Sequence, residues 1–258
     1  MMNRLHTVVT RASALAIALG AVLAMPVTTH ASEEPATPAP VELTQADVDS
    51  SNAKVRMAYG ALVTMWTDEF QKLGVQFVAP GLERYRRPIR TSCGVMTPSN
   101  ASYCFDDNTV YFDDVFVAAQ AKRAARQLGT DGDMAAVGII AHEMGHAAAM
   151  QLGFFPRDSY RSESVADCFA GAFASRAQTN GELEKGDLEE AFFGMASAGD
   201  PTPQPTGNAR LDDRVRAVLV NNAHGTREQR TQNFRTGLQR GVSACVAMMQ
   251  GRETTRRG

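Results

Sequence analysis

The stretch His142-Glu143-Met144-Gly145-His146 puts two imidazoles and a carboxylate within five residues. Histidines four apart share one face of an α-helix, so both rings can reach a single ion. The glutamate beside the first is placed to handle a water bound to that ion. One Zn2+ held this way activates water for hydrolysis of a peptide bond. A catalytic zinc takes three protein ligands and keeps one position open, so a third ligand has to come from elsewhere.

Beyond residue 31 the only other histidine is His224. Glu163 is the better third ligand, because Asp167 follows it by one helical turn. The first carboxylate can bind metal while the second accepts a hydrogen bond from a ligand histidine and fixes its tautomer. The neighbours Val165, Ala166, Phe169, Ala170 and Ala172 imply a buried setting, where carboxylates need partners. Cys168 acting as a thiolate in place of Glu163 would define a different zinc hydrolase.

The elements that must position these groups are mainly helical. Asp133 opens the helix of the two histidines, whose apolar residues imply deep packing, and Gly153 ends it. A second helix runs from Asp158 or Ser162 to Gln178 and carries Glu163 and Asp167. Others span about Asp49 to Leu73, Asp113 or Asp114 to Leu128, a start near Asp187, and Leu211 to Val220. The last opens on the capping-box pattern Thr226-Arg227-Glu228-Gln229 and runs towards Met249. Thr109 to Phe112 has the β-branched and aromatic content of a strand, and as an edge strand it could pair with an extended substrate. Pro80 to Pro88 reads as a basic loop. The class is α+β, mainly α, with a small β region and five to six helices.

The chain as a whole narrows the setting. A formal charge of −2 over 258 residues is too close to neutral to suggest a nucleic-acid partner, and none is expected. Residues 1–31 read as a signal peptide: Arg4 and Arg11, then an uncharged run from Ala12 to Met25, then Thr29-His30-Ala31, with cleavage after Ala31. The alternative is an uncleaved N-terminal anchor, the only route to a membrane association. Residues 32–48 form a Pro-rich linker, 49–250 one domain, and 251–258 a flexible basic tail. The expected location is the periplasm or the exterior. Four cysteines in an exported chain favour two disulfides, with three possible pairings. The simplest is Cys93–Cys104 as a loop staple, leaving Cys168–Cys245.

Ile140 to His146 followed by Glu163-Ser-Val-Ala-Asp-Cys-Phe-Ala-Gly171 resembles the bacterial neutral zinc metallopeptidases, zincins whose third ligand is glutamate. The likeness continues in order through Thr91 to Gly94, Tyr103-Cys104, Val110 to Asp113, His224 to Arg230, Phe234 to Gly237, and Cys245. It implies a zincin-like domain with His142, His146 and Glu163 as zinc ligands and Glu143 as catalytic base. The chain departs from the pattern at Ala147, where relatives often have another histidine, and in the Pro-rich stretch Gly199 to Gly207.

The expected activity is that of an exported endopeptidase acting on protein or peptide substrates. Glu143 would take a proton from the attacking water and return it to the leaving amine. Candidates for a second oxyanion donor are His224 first, then Tyr111, Tyr160 and Arg214. The alternative is a non-catalytic binding or scaffold protein of the cell envelope that keeps zinc for stability, in which Glu143 would be dispensable.

Overall fold

The computed structural model describes residues 41–201, 204–222 and 224–251. The expected signal peptide, its cleavage point, residues 32–40 of the linker and the tail beyond Gly251 lie outside them. Helix α1 spans Gln45–Lys72. It begins four residues before the expected Asp49, because Thr44 and Asp47 form a reciprocal capping box: the Thr44 hydroxyl accepts from the Asp47 N–H, and Asp47 accepts from the Thr44 N–H. Its buried stripe of Val48, Val55, Leu62, Trp66 and Phe70 faces the core. There Trp66 meets Phe169 edge-on at 4.8 Å between ring centroids.

Five short strands follow: β1 Gly81–Tyr85, β2 Ile89–Thr91, β3 Gly94–Met96, β4 Ala101–Cys104 and β5 Thr109–Asp113. The expected loop Pro80 to Pro88 therefore contains a strand. Gly81 to Tyr85 gains backbone partners by pairing in parallel with the whole of β5. The basic residues there are not simply solvated, since Arg86 binds the buried Asp114 with Nε 2.7 Å from Oδ1. The sheet order is β1-β5-β4. Strand β5 therefore lies in the middle, with partners on both sides, and cannot be the edge strand expected of Thr109 to Phe112. The edge positions belong to β1 and to β4, the latter antiparallel to β5. The β2–β3 hairpin is tied to the end of β4 by the Cys93–Cys104 disulfide.

The helices that build the site come next: α2 Asp114–Leu128, α3 Asp133–Gln151, α4 Ser159–Asn180, α5 Asp187–Ser197, α6 Ala209–Asn222 and α7 Arg227–Met249. The described helices number seven, one for each helical segment expected along the chain, so the overall count of five to six is low. Asp113 caps α2, Asp158 caps α4, and Thr226 with Gln229 forms the capping box of α7. Helix α3 has no side-chain cap of its own. The buried Glu190 of α5 caps it from outside, accepting from the N–H of Gly132 and of Met134 at 2.9 Å each. A carboxylate there also suits the positive end of the helix dipole.

Glycines set how closely the site helices approach. A Cβ on Gly145 of α3 would lie 2.9 Å from the Ala166 carbonyl oxygen of α4, so the bare backbone is what lets the two helices meet. Helices α4 and α7 cross more tightly still: a Cβ on Gly171 would collide with the Phe234 carbonyl, and one on Gly237 with the Cys168 carbonyl. The Cys168–Cys245 disulfide locks that crossing. Both sulfurs are thereby consumed, and no cysteine is free. The Cys168-ligated alternative is excluded.

Candidate metal centre

Three side chains from two helices converge on one point. His142 and His146 come from α3 and Glu163 from the first turns of α4. His142 Nε2 lies 3.0 Å from Glu163 Oε2 and 3.1 Å from His146 Nε2, and His146 Nε2 lies 3.4 Å from Glu163 Oε1. All three are largely buried, with side-chain exposures of 8, 13 and 12% respectively.

The partners of the outer ring nitrogens fix which lone pairs face inward. His142 Nδ1 is 2.9 Å from Asp167 Oδ1, so in the neutral ring its proton sits there. His146 Nδ1 is 3.2 Å from the Ser162 hydroxyl, and in the tautomer protonated at Nδ1 that hydroxyl accepts. Both Nε2 lone pairs then point at each other and at the carboxylate. Glu163 Oε2 is buried, and no hydrogen bond from a described residue satisfies it. Three convergent lone pairs repel unless a cation lies between them.

A tetrahedral zinc with bonds of about 2.0–2.1 Å would hold its donors about 3.3 Å apart. The observed separations fit that donor set. Burial disfavours a charged His142, but Asp167 and Glu163 outweigh it and raise the ring's pKa to about 10. Burial likewise opposes ionisation of Glu163, and the two imidazoles overcome it, holding the carboxyl well below the usual range. The pocket selects positive charge, whether a proton or a metal.

Asp167 is completely buried and has a partner that sequence reasoning missed. Arg230 of α7 donates through Nε to both Asp167 oxygens, at 3.2 and 3.1 Å, and through a terminal nitrogen to Oδ1 at 2.6 Å. It also donates to the Ala198 carbonyl at 3.1 Å. That terminal nitrogen comes within 3.2 Å of His142 Nδ1, and since both atoms donate towards Asp167 Oδ1 they share that acceptor. Arg230 could have been found in the helix pattern. Arg230, Phe234, Gly237, Ala244 and Cys245 form the buried stripe of α7, so a charged residue stands at a core position. Its partner, 63 residues away, leaves no sequence signal.

Glu143 is buried and lines a cavity that its neighbour His142 also lines. Its Oε2 accepts the Tyr103 backbone N–H of β4 at 2.8 Å, and among the described residues no other hydrogen bond to the carboxylate is seen. A cavity of about 330 Å³ adjoins it, lined in part by His142, Glu143, His224 and Arg230. Of the four candidate oxyanion donors, only His224 lines this cavity. Its side chain is 61% exposed, and its Nδ1 is 3.7 Å from Asp200. Asp200 also accepts the Gly225 N–H, which fixes the backbone beside His224. Tyr111 donates instead to Asp107, Tyr160 packs on Gly225, and Arg214 is exposed on α6.

No solved structure matches the chain. Uncharacterized protein YpfJ of Escherichia coli is 36% identical over 198 residues, covering 69% of this chain and 64% of YpfJ. An uncharacterized protein of Mycobacterium bovis is 27% identical over 187 residues, covering 64% of this chain and 60% of its own length. The match thus spans slightly less than two thirds of these relatives. The family model described as "Putative neutral zinc metallopeptidase" matches residues 5–248, nearly the whole sequence, and the chain belongs to that family.

Proposed function

We propose that the protein is an exported zinc endopeptidase in which His142, His146 and Glu163 hold one zinc ion and Glu143 is the general base. The observation that carries this reading is the convergence of two Nε2 lone pairs and an unsatisfied carboxylate oxygen within 3.0–3.4 Å, beside a second carboxylate that takes no part in the cluster. Bound there, zinc supplies Lewis acidity and lowers the pKa of a coordinated water to about 7.

The chain's own residues do the rest. Asp167 and Arg230 keep His142 in one tautomer and orientation, and Ser162 does so for His146. Glu143, anchored by the Tyr103 N–H, receives the proton of the attacking water on its other oxygen and passes it to the departing amine. His224 stands at the cavity rim, where it can donate to the carbonyl oxygen as charge develops. Strand β4, at the sheet edge beside Glu143, is the surface along which an extended peptide can lie.

Export through a signal peptide cleaved after Ala31 is in keeping with the two disulfides, which persist in oxidising compartments. No described helix is long and apolar enough to cross a membrane.

The discriminating variant is Glu143→Gln. A peptidase keeps its zinc and loses turnover by about 10²-fold or more. A scaffold that uses zinc for stability would retain both its metal and its function, and undiminished cleavage by the variant would reject Glu143 as the base.

A further inference from the structure

We infer that the Cys168–Cys245 disulfide is a redox gate on the metal centre, set while the chain folds. It clamps the end of α7 against the part of α4 that carries Glu163 and Asp167, and zinc is held tightly only once the bond has formed. This concerns the regulation of the centre and rests on the peptidase reading above.

Helix α7 is broken by a kink. At Gly241 the backbone takes φ 68° and ψ −172°, a non-helical conformation with the positive φ that glycine adopts at least cost. The arm before the kink brings Arg230 to Asp167 and lays Gly237 against the Cys168 carbonyl. The arm after it, residues 242–249, returns to the same helix. There Cys245 is bonded to Cys168, and the Met249 carbonyl accepts from Arg161 at 3.4 Å. The second arm therefore runs beside α4 from Cys168 back to Arg161, the span that contains Asp167 and Glu163.

The bond is the strongest hold on that arm. Within it Ala244 and Cys245 are buried, whereas Val242, Val246, Met248 and Met249 are only partly so. So short a segment does not keep a helix by itself, since isolated helices below about 12–15 residues are marginal in water. With the arm released, the turns of α4 that present Glu163 and Asp167 lose packing on that side. The Asp167–Arg230 pair, which joins the same two helices and orients His142, loosens with them.

Burial sets the timing. Both sulfurs are completely buried, and thiol–disulfide exchange needs access to the sulfur, so the two cysteines are joined during folding. Bond formation takes two electrons and two protons from the two thiols. A disulfide oxidant accepts them, its own S–S bond breaks, and it leaves as two thiols. A reducing compartment withholds that oxidant. The chain thus gains a tight zinc site only where it folds under oxidising conditions, which keeps a peptidase inactive at its place of synthesis. The Cys93–Cys104 bond offers the contrast, because Cys93 is exposed and the pair joins the β2–β3 hairpin to β4.

The test compares the mature wild-type chain with Cys168→Ala/Cys245→Ala and with Cys93→Ala/Cys104→Ala. Zinc affinity is measured by competition with a chromophoric chelator, and amide hydrogen exchange is followed segment by segment in the metal-free chains. Cys168→Ala/Cys245→Ala should bind zinc about 10- to 100-fold more weakly, and Cys93→Ala/Cys104→Ala should match the wild type. Exchange should quicken in residues 159–168 and 242–249 while α1 and α2 stay protected. Wild-type chain refolded with oxidised glutathione should regain full zinc affinity once the glutathione is removed, and chain refolded anaerobically with reduced glutathione should match Cys168→Ala/Cys245→Ala. Equal affinity with and without the bond overturns the gate. So does exchange that quickens evenly along the chain, or a variant that does not fold, since the bond is then a staple of the whole molecule. A wild-type chain that binds no zinc rejects the peptidase reading instead, and the exchange pattern alone then decides the clamp.

Discussion

Asp167 and Arg230 show how much of a metal site lies behind its ligands. Asp167 is fully buried, and Arg230 is its charge partner. Removing one member of a buried pair leaves the other uncompensated, which typically costs about 3–5 kcal/mol. Arg230→Met is therefore expected to lower the unfolding free energy obtained from denaturant titration by an amount in that range, and the change should be much smaller when Asp167 is made apolar as well. Asp167→Asn keeps the shape but removes the carboxylate that orients His142. Zinc affinity should fall about 10- to 100-fold, measured by competition with a chromophoric chelator. Affinity unchanged by Asp167→Asn would mean that His142 is oriented by something else. At this scale the sequence was legible where chemistry is local: two histidines one turn apart, a glutamate between them, and Glu163 one turn before Asp167. The pairing of Arg230 with Asp167 and the Tyr103 N–H were hidden because each acts across the fold, and a backbone donor has no side-chain signature at all.

At the scale of elements, the site depends on how closely α3, α4 and α7 pack. Gly145 lies between the histidines of α3, and its missing side chain admits the Ala166 backbone of α4, three residues after Glu163. Gly145→Val should push the helices apart, retract Glu163 and reduce zinc affinity while leaving helical content largely intact. Circular dichroism alongside a zinc titration separates that result from unfolding; full affinity in a folded variant would show that the close approach is not needed. Helix positions were legible from caps and periodicity, as with Asp158 before α4 and Thr226 before α7. The capping of α3 was not, because its carboxylate comes from Glu190 of another helix. Nor was the order of the strands: the β-rich Thr109 to Phe112 was recognisable as a strand, but its central position depends on β1, whose Gly-Leu-Glu-Arg-Tyr sequence has little strand character.

For the whole molecule, protons and metal compete for the same centre. The raised pKa of His142 means that the metal-free chain carries a proton there at neutral pH, so zinc uptake should expel about one proton, with weaker retention as pH falls. An indicator dye in weak buffer measures this, and zinc binding without proton release would contradict it. A second group works on stability. Burial, aided by Asp133, Glu190 and Asp131, raises the Asp187 carboxyl to about 6. The native state then binds this proton more tightly than the unfolded chain does. Its contribution is fully present below the ordinary carboxylate pKa of about 3.9 and is lost as pH rises through 6. Asp187→Asn should flatten the stability profile between those values, as followed by thermal unfolding.

A single hydrolytic zinc held by this fold would unite the site, the packing and the proton balance. The most direct measurement is metal content per mature chain, followed by peptide cleavage before chelation, after chelation and after zinc is returned. Expected are one zinc per chain, cleavage abolished by the chelator and restored by stoichiometric zinc, and no bound zinc in Glu163→Ala. A chain that binds no zinc, or that cleaves equally well without it, would rule out a hydrolytic zinc at this centre.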